Sequence, residues 1–334
     1  MGSKIIGMEI GQNQIKIVEA SRHSAYYKIH KCSIIDVPRG YIENGMITEM
    51  ELVAQLLENT LKKEKYHAKK VIAVVRCGHT ISRKVMMRKQ TEQSLRQLLE
   101  VQPERFLPIE RHQYQVDFRI LREIESEVGT QVEVQMVAVP NEVIFSTIHL
   151  IKSLKCSLIG VSVPSEALIQ LFASKMVMGY TRNENILVLD MSANDSSIIL
   201  INEVRGVLIR SIPFGIEHIQ ATICEVLSEL KEGNQKQEYL FTNMICPQIE
   251  CHILSEIERV LKFFYIQGNV APIQKIYLLG EATKIADLRV YIRDALNIPT
   301  EVIDQLDKVR VAPSVDFEEQ VNSFVYALGA ISNL

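Results

Sequence analysis

Two short segments of the sequence, about half the chain apart, combine residue types that can hold phosphate groups. In the first, a strand pattern ends in Glu9, and the small polar turn Gly11-Gln12-Asn13 leads to a second strand that carries Lys16. In the second, a strand ends in Asp190 and the turn Ser192-Ala193-Asn194 follows. Backbone amides in tight turns can converge on anionic oxygens, and small residues let the backbone approach. If the two turns face each other, they would clamp a phosphate group.

The two acidic residues at the strand ends could also hold a metal ion between the turns. Magnesium is usually bound through one or two carboxylates while it keeps several waters, so Glu9 and Asp190 are the candidate metal residues. Two alternatives stay open: Asp190 could cap its own turn, and Lys16 could point to water. His79 and His218 do not belong to any cluster with metal-ligand spacing, and we expect ordinary roles for both.

A third turn, Gly280-Glu281-Ala282, follows the apolar strand pattern of Lys275–Leu279 and precedes a helical pattern over Lys284–Leu296. The N-terminus of a helix favours an anion, so a nucleotide would gain from this position. A hairpin with a glycine is usually only a hairpin. The order and spacing of the three turns together point to an anion or nucleotide site.

The elements that must position these turns occur twice along the chain. Apolar and polar residues alternate on both sides of each turn, which is typical of strands. A weak internal repeat at about half the chain length predicts two related lobes. The predicted strands are Lys4–Ile10, Ile15–Ala20 and Tyr26–Val37 in the first copy, and Ile186–Asp190, Ser196–Asn202 and Gly206–Pro213 in the second. In the first copy, Thr48 and Glu51 have the spacing of a capping box before a helix.

Residues 83–159 interrupt the first copy and could form a small inserted α+β subdomain. A charged segment leads to a helix over Thr91–Phe106, which the proline of Leu107-Pro108 should end. Two paired strands, a helix over Glu142–Leu154 and a strand over Ser157–Val163 follow. An extended peptide could add to an apolar edge of this insert. The candidate partner-binding residues are Arg83, Phe106, Leu107 and Pro108.

Composition excludes several classes of function. The 334 residues include 37 Lys and Arg against 40 Asp and Glu, and this net charge of −3 gives no electrostatic basis for nucleic-acid binding. No apolar run approaches the length of about 18 residues that spans a membrane. The start of the sequence lacks the pattern of a signal peptide. The six cysteines are scattered, so we expect reduced thiols and a cytoplasmic location.

The sequence resembles the actin-like ATPases, most closely the PilM family of type IV pilus assembly proteins. The first phosphate motif of that family is similar to Gly7–Glu19 (GMEIGQNQIKIVE). Further segments in the family's order are Arg39–Thr48 (RGYIENGMIT), Ile212–Glu217 (IPFGIE), Glu256–Arg259 (EIER), Leu279-Gly280 and Ala327–Gly329 (ALG). The resemblance covers essentially the whole chain.

This resemblance implies an α/β, actin-like (ribonuclease H-like) two-lobed fold with an FtsA-type inserted subdomain. Residues 1–82 and 160–181 would form the first lobe, together with a C-terminal helix at 317–334. The insert would be 83–159. The second lobe would be 182–316, with 216–272 as its helical subdomain. Glu256 and Arg259 could then border the adenine and ribose of a nucleotide, or they could form an (i, i+3) ion pair on a helix surface, which contributes only a few tenths of a kcal/mol.

The function implied is that of a cytoplasmic adaptor that binds the N-terminal tail of the inner-membrane protein PilN beside the insert. ATP with Mg²⁺ between the lobes, contacts with pilus motor ATPases and a homo-oligomer would be further expectations, and the membrane would be reached only through partners. Two alternatives are an FtsA-like cell-division filament protein and an actin-fold small-molecule kinase. The first would end in an amphipathic membrane helix, whereas this sequence stops at Leu334; the second needs a catalytic acid, and we find no candidate.

Four positions depart from the family pattern. Glu9 replaces an aspartate, Ser192 replaces a glycine and Glu281 replaces the second glycine of the adenosine turn. Pro164 stands where the family commonly carries an acid. Together these departures weaken the expectation of ATP binding, and they weaken that of hydrolysis more strongly, so the sequence predicts little or no ATP turnover.

Overall fold

The computed structural model describes residues 3–110, 112–126, 129–181, 184–202, 205–227, 244–266, 271–285, 287–313, 315 and 317–332. They form two compact units. One contains Met1–Ser21 and His30–Pro164, and the other contains Arg22–Ile29 and Ser165–Leu334. Within the described part of the chain, no helix is both long and apolar enough to cross a lipid bilayer.

Groups of consecutive strands are separated by helices along the chain, with short 3₁₀ segments and one described π-helical segment, Glu250–Leu254. The strands are β1 (Lys4–Ile10), β2 (Gln14–Arg22), β3 (Tyr27–Asp36), β4 (Ile42–Glu43), β5 (Met46–Ile47), β6 (Lys70–Val75), β7 (Ile81–Arg88), β8 (Tyr114–Ser126), β9 (Gly129–Pro140), β10 (Ser157–Ser162), β11 (Asn185–Met191), β12 (Ser196–Asn202), β13 (Arg205–Ile212), β14 (Ile273–Gly280), β15 (Thr300–Val302) and β16 (Val309–Val311). The α-helices are α1 (Met50–Lys63), α2 (Glu92–Val101), α3 (Asn141–Ser153), α4 (Pro164–Ala173), α5 (Ile216–Leu227), α6 (Cys246–Ile249), α7 (Ser255–Ile266), α8 (Leu288–Leu296) and α9 (Val325–Ile331).

The first unit is built on a mixed sheet with the order β10-β6-β1-β2-β3. β1 pairs antiparallel with β2 and parallel with β6, and β6 pairs parallel with β10. Residues 71–75 of β6 are all buried, as predicted for an apolar strand that is covered on both faces. Leu57 of α1 and Leu150 of α3 pack into one core with the side chains of β1.

The insert is a separate antiparallel sheet with the order β7-β9-β8, and α2 packs its buried leucines, Leu95 and Leu99, against it. The structure limits this sheet to residues between 81 and 140. The sequence had assigned all of 83–159 to the insert, but α3 packs in the core of the main sheet and β10 pairs with β6. These two elements therefore belong to the main body of the first unit.

The second unit repeats the strand order of the first. Its sheet has the order β13-β12-β11-β14-β15, in which β11 pairs antiparallel with β12 and parallel with β14. The first strand in sequence is thus third in each sheet, with an antiparallel strand on one side and a parallel strand on the other. The unit also contains 165–181 and 317–332, which the sequence had assigned to the first lobe.

Several helix ends differ from the sequence expectations. α2 stops at Val101, and a 3₁₀ turn over Pro103–Arg105 follows, because Pro103 cannot continue the helix. The capping box is not formed: the N-cap of α1 is Glu49, and the Thr48 hydroxyl donates instead to the carbonyl of Gly40. The last predicted helix is divided into a 3₁₀ segment, Glu318–Phe324, and α9.

Candidate functional site

The first predicted turn is a tight hairpin between β1 and β2. The Gly11 amide donates to the carbonyl oxygen of Gln14 at 3.0 Å, and the Asn13 carbonyl accepts from the Val37 amide at 2.9 Å. A Cβ atom on Gly11 would lie 2.9 Å from the Gln14 carbonyl oxygen. Glycine is therefore needed for the close approach that the sequence predicted at this turn.

Glu9, at the end of β1, is buried between two cationic side chains. Its Oε1 accepts a hydrogen bond from Arg76 Nε at 2.6 Å, and its Oε2 lies 3.9 Å from Lys16 Nζ. Lys16 is the cross-strand neighbour of Glu9 in β2, and Arg76 follows directly after β6. The Lys16 side chain is 18% exposed, so it does not simply point to water.

The second predicted turn joins β11 to β12 and resembles the first in its hydrogen bonding. The Ser192 amide donates to the Asp195 carbonyl at 2.8 Å, and the Ser192 hydroxyl also donates to the Asp195 side chain. Asp190, two residues before the turn, is buried, and its Oδ2 accepts from the Tyr326 hydroxyl at 2.6 Å. The Ser192 amide and hydroxyl thus serve to close the turn itself.

Backbone amides at the beginning of α5 donate hydrogen bonds to carbonyl groups of the second turn. The amides of Ile216 and Glu217 donate to the carbonyls of Ser192 and Ala193 at 3.0 and 2.9 Å. These are orphan amides of the first helical turn, which need acceptors from outside the helix. A Cβ on Gly215 would lie 2.6 Å from the Ser192 carbonyl oxygen, so this contact needs glycine.

The third predicted turn lies against the second. Gly280 has a φ of +66°, and a Cβ there would lie 2.7 Å from Asp190 Oδ1 and closer still to the Met191 carbonyl oxygen. Glu281 forms an ion pair with Lys284 at 2.9 Å, and Ala282 is buried. A 3₁₀ turn, rather than the predicted helix, follows, and α8 starts only at Leu288. The structure therefore brings the Asp190 and Gly280 turns together within the second unit.

Glu256 and Arg259 form an ion pair at the start of α7. Glu256 Oε1 accepts from Arg259, and its Oε2 accepts from Arg210 Nε of β13 at 3.1 Å. The Glu256 side chain is only 14% exposed, whereas both arginines are largely exposed. The (i, i+3) ion pair between Glu256 and Arg259, one of the two alternatives from the sequence, is therefore present. Arg210 forms a second ion pair with Glu256 and so links α7 to β13.

The partner-binding candidates of the insert divide between surface and core. Arg83 donates to the Phe106 carbonyl at 3.0 Å, and Pro108 is exposed. Leu107 is buried in the same core as Leu95, and Phe106 packs against that core. The Leu107 side chain is therefore part of the core of the insert and does not lie on its surface.

A groove that sequence reasoning missed lies in the first unit between α3 and β10. It has a volume of about 660 Å³ and is lined by Ile148 and Lys152 of α3, by Cys156, and by 157–161. β10 is the last strand of its sheet on this side. Ile159 of β10 is 43% exposed. The apolar pattern of Ser157–Val163 is visible in the sequence, but its place at a sheet edge is not.

Cationic side chains of the protein lie beside Glu9. Its Oε1 accepts the short hydrogen bond from Arg76, whereas the buried Oε2 has no hydrogen-bond partner and lies 3.9 Å from Lys16 Nζ, so a magnesium ion at Glu9 and Asp190 stays a prediction. Over the residues that the structure describes, there is no group of three or more His, Cys, Asp or Glu side chains that could hold a metal ion. His79 pairs with the Asn44 side chain, and His218 Nδ1 accepts from the Gly215 amide.

The duplicated sheet order, with a buried acid and a tight turn after the first strand of each copy, defines a protein of the actin-like fold class. Solved structures agree. The chain is similar to a structure described as a PilM-PilN type IV pilus biogenesis complex, with a TM-score of 0.80 and 21% identity over 98% of this chain and 97% of that one. It is also similar to the ethanolamine utilization protein EutJ from Carboxydothermus hydrogenoformans, with a TM-score of 0.56 and 10% identity over 97% of this chain and 88% of that one.

Residues 7–331 match the family model of the type IV pilus assembly protein PilM. The chain belongs to this family, as the segments Gly7–Glu19 and Ala327–Gly329 had indicated from the sequence.

Proposed function

We propose that this chain is a scaffold of the type IV pilus assembly machine that binds the N-terminal tail of a PilN-type inner-membrane protein. The observation that carries the proposal is the family match over 7–331, together with the similarity to a PilM-PilN complex along nearly the whole chain. The scaffold would lie on the cytoplasmic side and reach the membrane through its partner. It would hydrolyse little or no ATP, and pilus motor ATPases and a second copy of the chain are further candidate contacts.

The groove between α3 and β10 is the place that we propose for the tail. An edge strand has backbone groups that can pair with an added strand, and side-chain pockets next to it provide specificity. β10 is such a strand, and five of the groove's lining residues, 157–161, lie on it. Leu158 and Val161 offer apolar surface, while Lys152 adds a positive charge. An extended tail of about six residues would span roughly 20 Å along such a strand.

We expect the variant Ile159→Asp to bind a synthetic peptide of the partner's N-terminal tail about tenfold more weakly than the wild type. The aspartate would place a charge on the apolar edge where the tail pairs, and the charge would have to be desolvated. Fluorescence anisotropy with a labelled peptide measures the affinity directly.

Phe145→Asp is the matched control for this experiment. Phe145 is 58% exposed on α3, but it does not line the groove, so its variant should bind like the wild type. Equal binding by wild type and Ile159→Asp would contradict the place of the tail and not the scaffold function. A wild type that does not bind the peptide would contradict the proposed partner itself.

A further inference from the structure

The first unit carries a lysine-rich surface at the C-terminal ends of α1 and α3. Segments 58–70 and 152–157 contain seven lysines, all of them exposed, and two acidic residues, Glu58 and Glu64. The whole chain, in contrast, has a net charge of −3. Positive charge is therefore concentrated here against the balance of the chain. This lysine surface consists of Lys62, Lys63, Lys65, Lys69, Lys70, Lys152 and Lys155.

Contacts within the unit place the two segments side by side. The Ser157 amide donates to the Lys69 carbonyl at 2.7 Å, where β10 and β6 begin. The pKa of Glu58 is lowered first by the hydrogen bond from Lys62 and also by the charge of Lys155. A charge that acts on Glu58 in this way lies near it. The lysines that follow α1 and α3 and precede the two strands therefore share one surface.

The structure of the unit does not account for most of this charge. Within the described residues, Lys62 is the one member of the lysine surface that forms an ion pair, with Glu58 at 2.8 Å. Lys62, Lys63 and Lys152 lie in last helical turns, where a cation compensates the helix dipole. The other four lie beyond the helix ends and have no such role. Like charges close together repel one another, and an external anion would relieve this repulsion.

We infer that the lysine surface binds the anionic headgroups of a lipid bilayer, which gives the chain a direct contact with the membrane in addition to the contact through its partner. All seven cations are lysines, whose ammonium groups are strongly hydrated point charges on flexible stems. Clusters of such residues are attracted to an anionic membrane surface by its potential and need no shaped pocket.

The position of the lysine surface agrees with a bilayer as its partner. Lys152 and Cys156 line the groove between α3 and β10 that we propose for the partner's tail. A tail held in this groove would keep the lysines close to the membrane in which the partner is anchored. In this one step the inference rests on the proposed function.

The residue types of the lysine surface favour a bilayer over a nucleic acid. Arginine recognises nucleic-acid phosphates with two parallel hydrogen bonds, and segments 58–70 and 152–157 contain no arginine. Single-stranded nucleic acids stack their bases on exposed aromatic rings. Tyr66 is the one phenylalanine, tyrosine or tryptophan of these segments, it is half-buried, and its hydroxyl shares a hydrogen bond with Ser33 at 2.8 Å.

The test is co-sedimentation of the full chain with lipid vesicles in the absence of any partner peptide. We expect the wild type to bind vesicles made of equal parts of phosphatidylglycerol and phosphatidylcholine, and not vesicles of phosphatidylcholine alone. High salt should release the protein, because it screens exposed charges. Lys69→Glu/Lys155→Glu should bind the anionic vesicles at least about tenfold more weakly than the wild type.

Lys28→Glu/Lys262→Glu is the matched control. Both residues are exposed and belong to the second unit, and the variant has the same net charge as Lys69→Glu/Lys155→Glu. It should bind the anionic vesicles like the wild type. Circular dichroism shows whether each variant is folded. Equal losses in the two variants would overturn the inference, because the net charge of the chain and not the lysine surface would then decide binding.

The wild-type measurement decides the inference even if a variant does not fold. A wild type that binds neither kind of vesicle, or both equally, would overturn it. Binding to duplex DNA without binding to anionic vesicles would assign the surface to nucleic acid and overturn it as well. The vesicle assay contains no partner peptide and the anisotropy assay contains no lipid, so a failure of this inference and a failure of the proposed function are seen separately.

Discussion

Gly329→Ala is expected to lower the free energy of unfolding by about 3 kcal/mol, the cost of forcing an extra carbon into a packed interior. Gly329 lies in α9, whose residues are all buried. A Cβ there would lie 2.6 Å from the carbonyl carbon of Ala167 in α4, and closer still to its carbonyl oxygen. Because the obstacle is backbone, no side-chain rotation can relieve it. The two helices would have to separate.

Gly160→Ala is the matched control for this prediction. The nearest atoms to a Cβ on Gly160 are side-chain carbons of Ile72 at 3.9 Å, an ordinary van der Waals contact. We expect a change within about 0.5 kcal/mol, as for a substitution without a steric conflict. Urea unfolding followed by circular dichroism gives both values. Equal stability of the two variants would contradict this prediction. It would mean that the close contact between the backbones of α9 and α4 does not require a glycine at position 329.

The turns could be predicted because their information is local. Alternating apolar residues set the strands, and Gly11 or Ser192 with its polar neighbours sets the turn between them. The repeat of this pattern indicated two related halves, and the structure has two sheets in which the strands follow the same order. The segment Gly7–Glu19 then indicated the family, which the match over 7–331 confirms.

The electrostatics of the candidate site could not be predicted from the sequence. Arg76 is 67 residues away from Glu9, and Tyr326 is 136 residues away from Asp190. No local pattern shows which distant side chain meets a strand end, because that depends on the order of strands in the folded sheet. The expectation of a metal at Glu9 could not take account of Arg76, which the fold places beside the carboxylate, and it stays a prediction.

The insert boundary was missed for a related reason. The pattern of Ser157–Val163 predicts a strand, but only the pairing of β10 with β6 shows that this strand belongs to the main sheet. The end of α2 was predictable: Pro103 lies after Val101 and stops the helix earlier than Pro108 would.

ATP binding and the roles of Glu256 and Arg259 in it stay predictions.

A buried carboxylate outside the turns carries the second large expected effect. Glu19 of β2 is completely buried, and its Oε1 accepts from the amides of His67 and Ala68, each at 2.7 Å. Its Oε2 accepts from Lys4 Nζ at 3.1 Å. Burial alone would raise the pKa of Glu19. The hydrogen bonds from Ala68, His67 and Lys4 outweigh it, and the pKa lies below its ordinary value.

Glu19→Gln should lower the free energy of unfolding by about 2 kcal/mol at neutral pH, since a charged acceptor shared by several donors is lost. The side-chain oxygen of the introduced glutamine could still accept from the two amides, but its NH₂ group would face the Lys4 ammonium. Glu51→Gln is the control, because Glu51 is exposed in the first turn of α1, and it should change stability little.

The pH dependence separates the charge from simple packing. Because the pKa of Glu19 is lower in the folded than in the unfolded state, its contribution is complete above the unfolded value of about 4.3 and is lost as the pH falls through the folded value. Urea unfolding at several pH values should therefore show the stability gap between wild type and Glu19→Gln closing below about pH 4. A gap that stays constant from neutral to acid pH would mean that the carboxylate charge contributes nothing, and that the variant is weakened only by the shape of its amide.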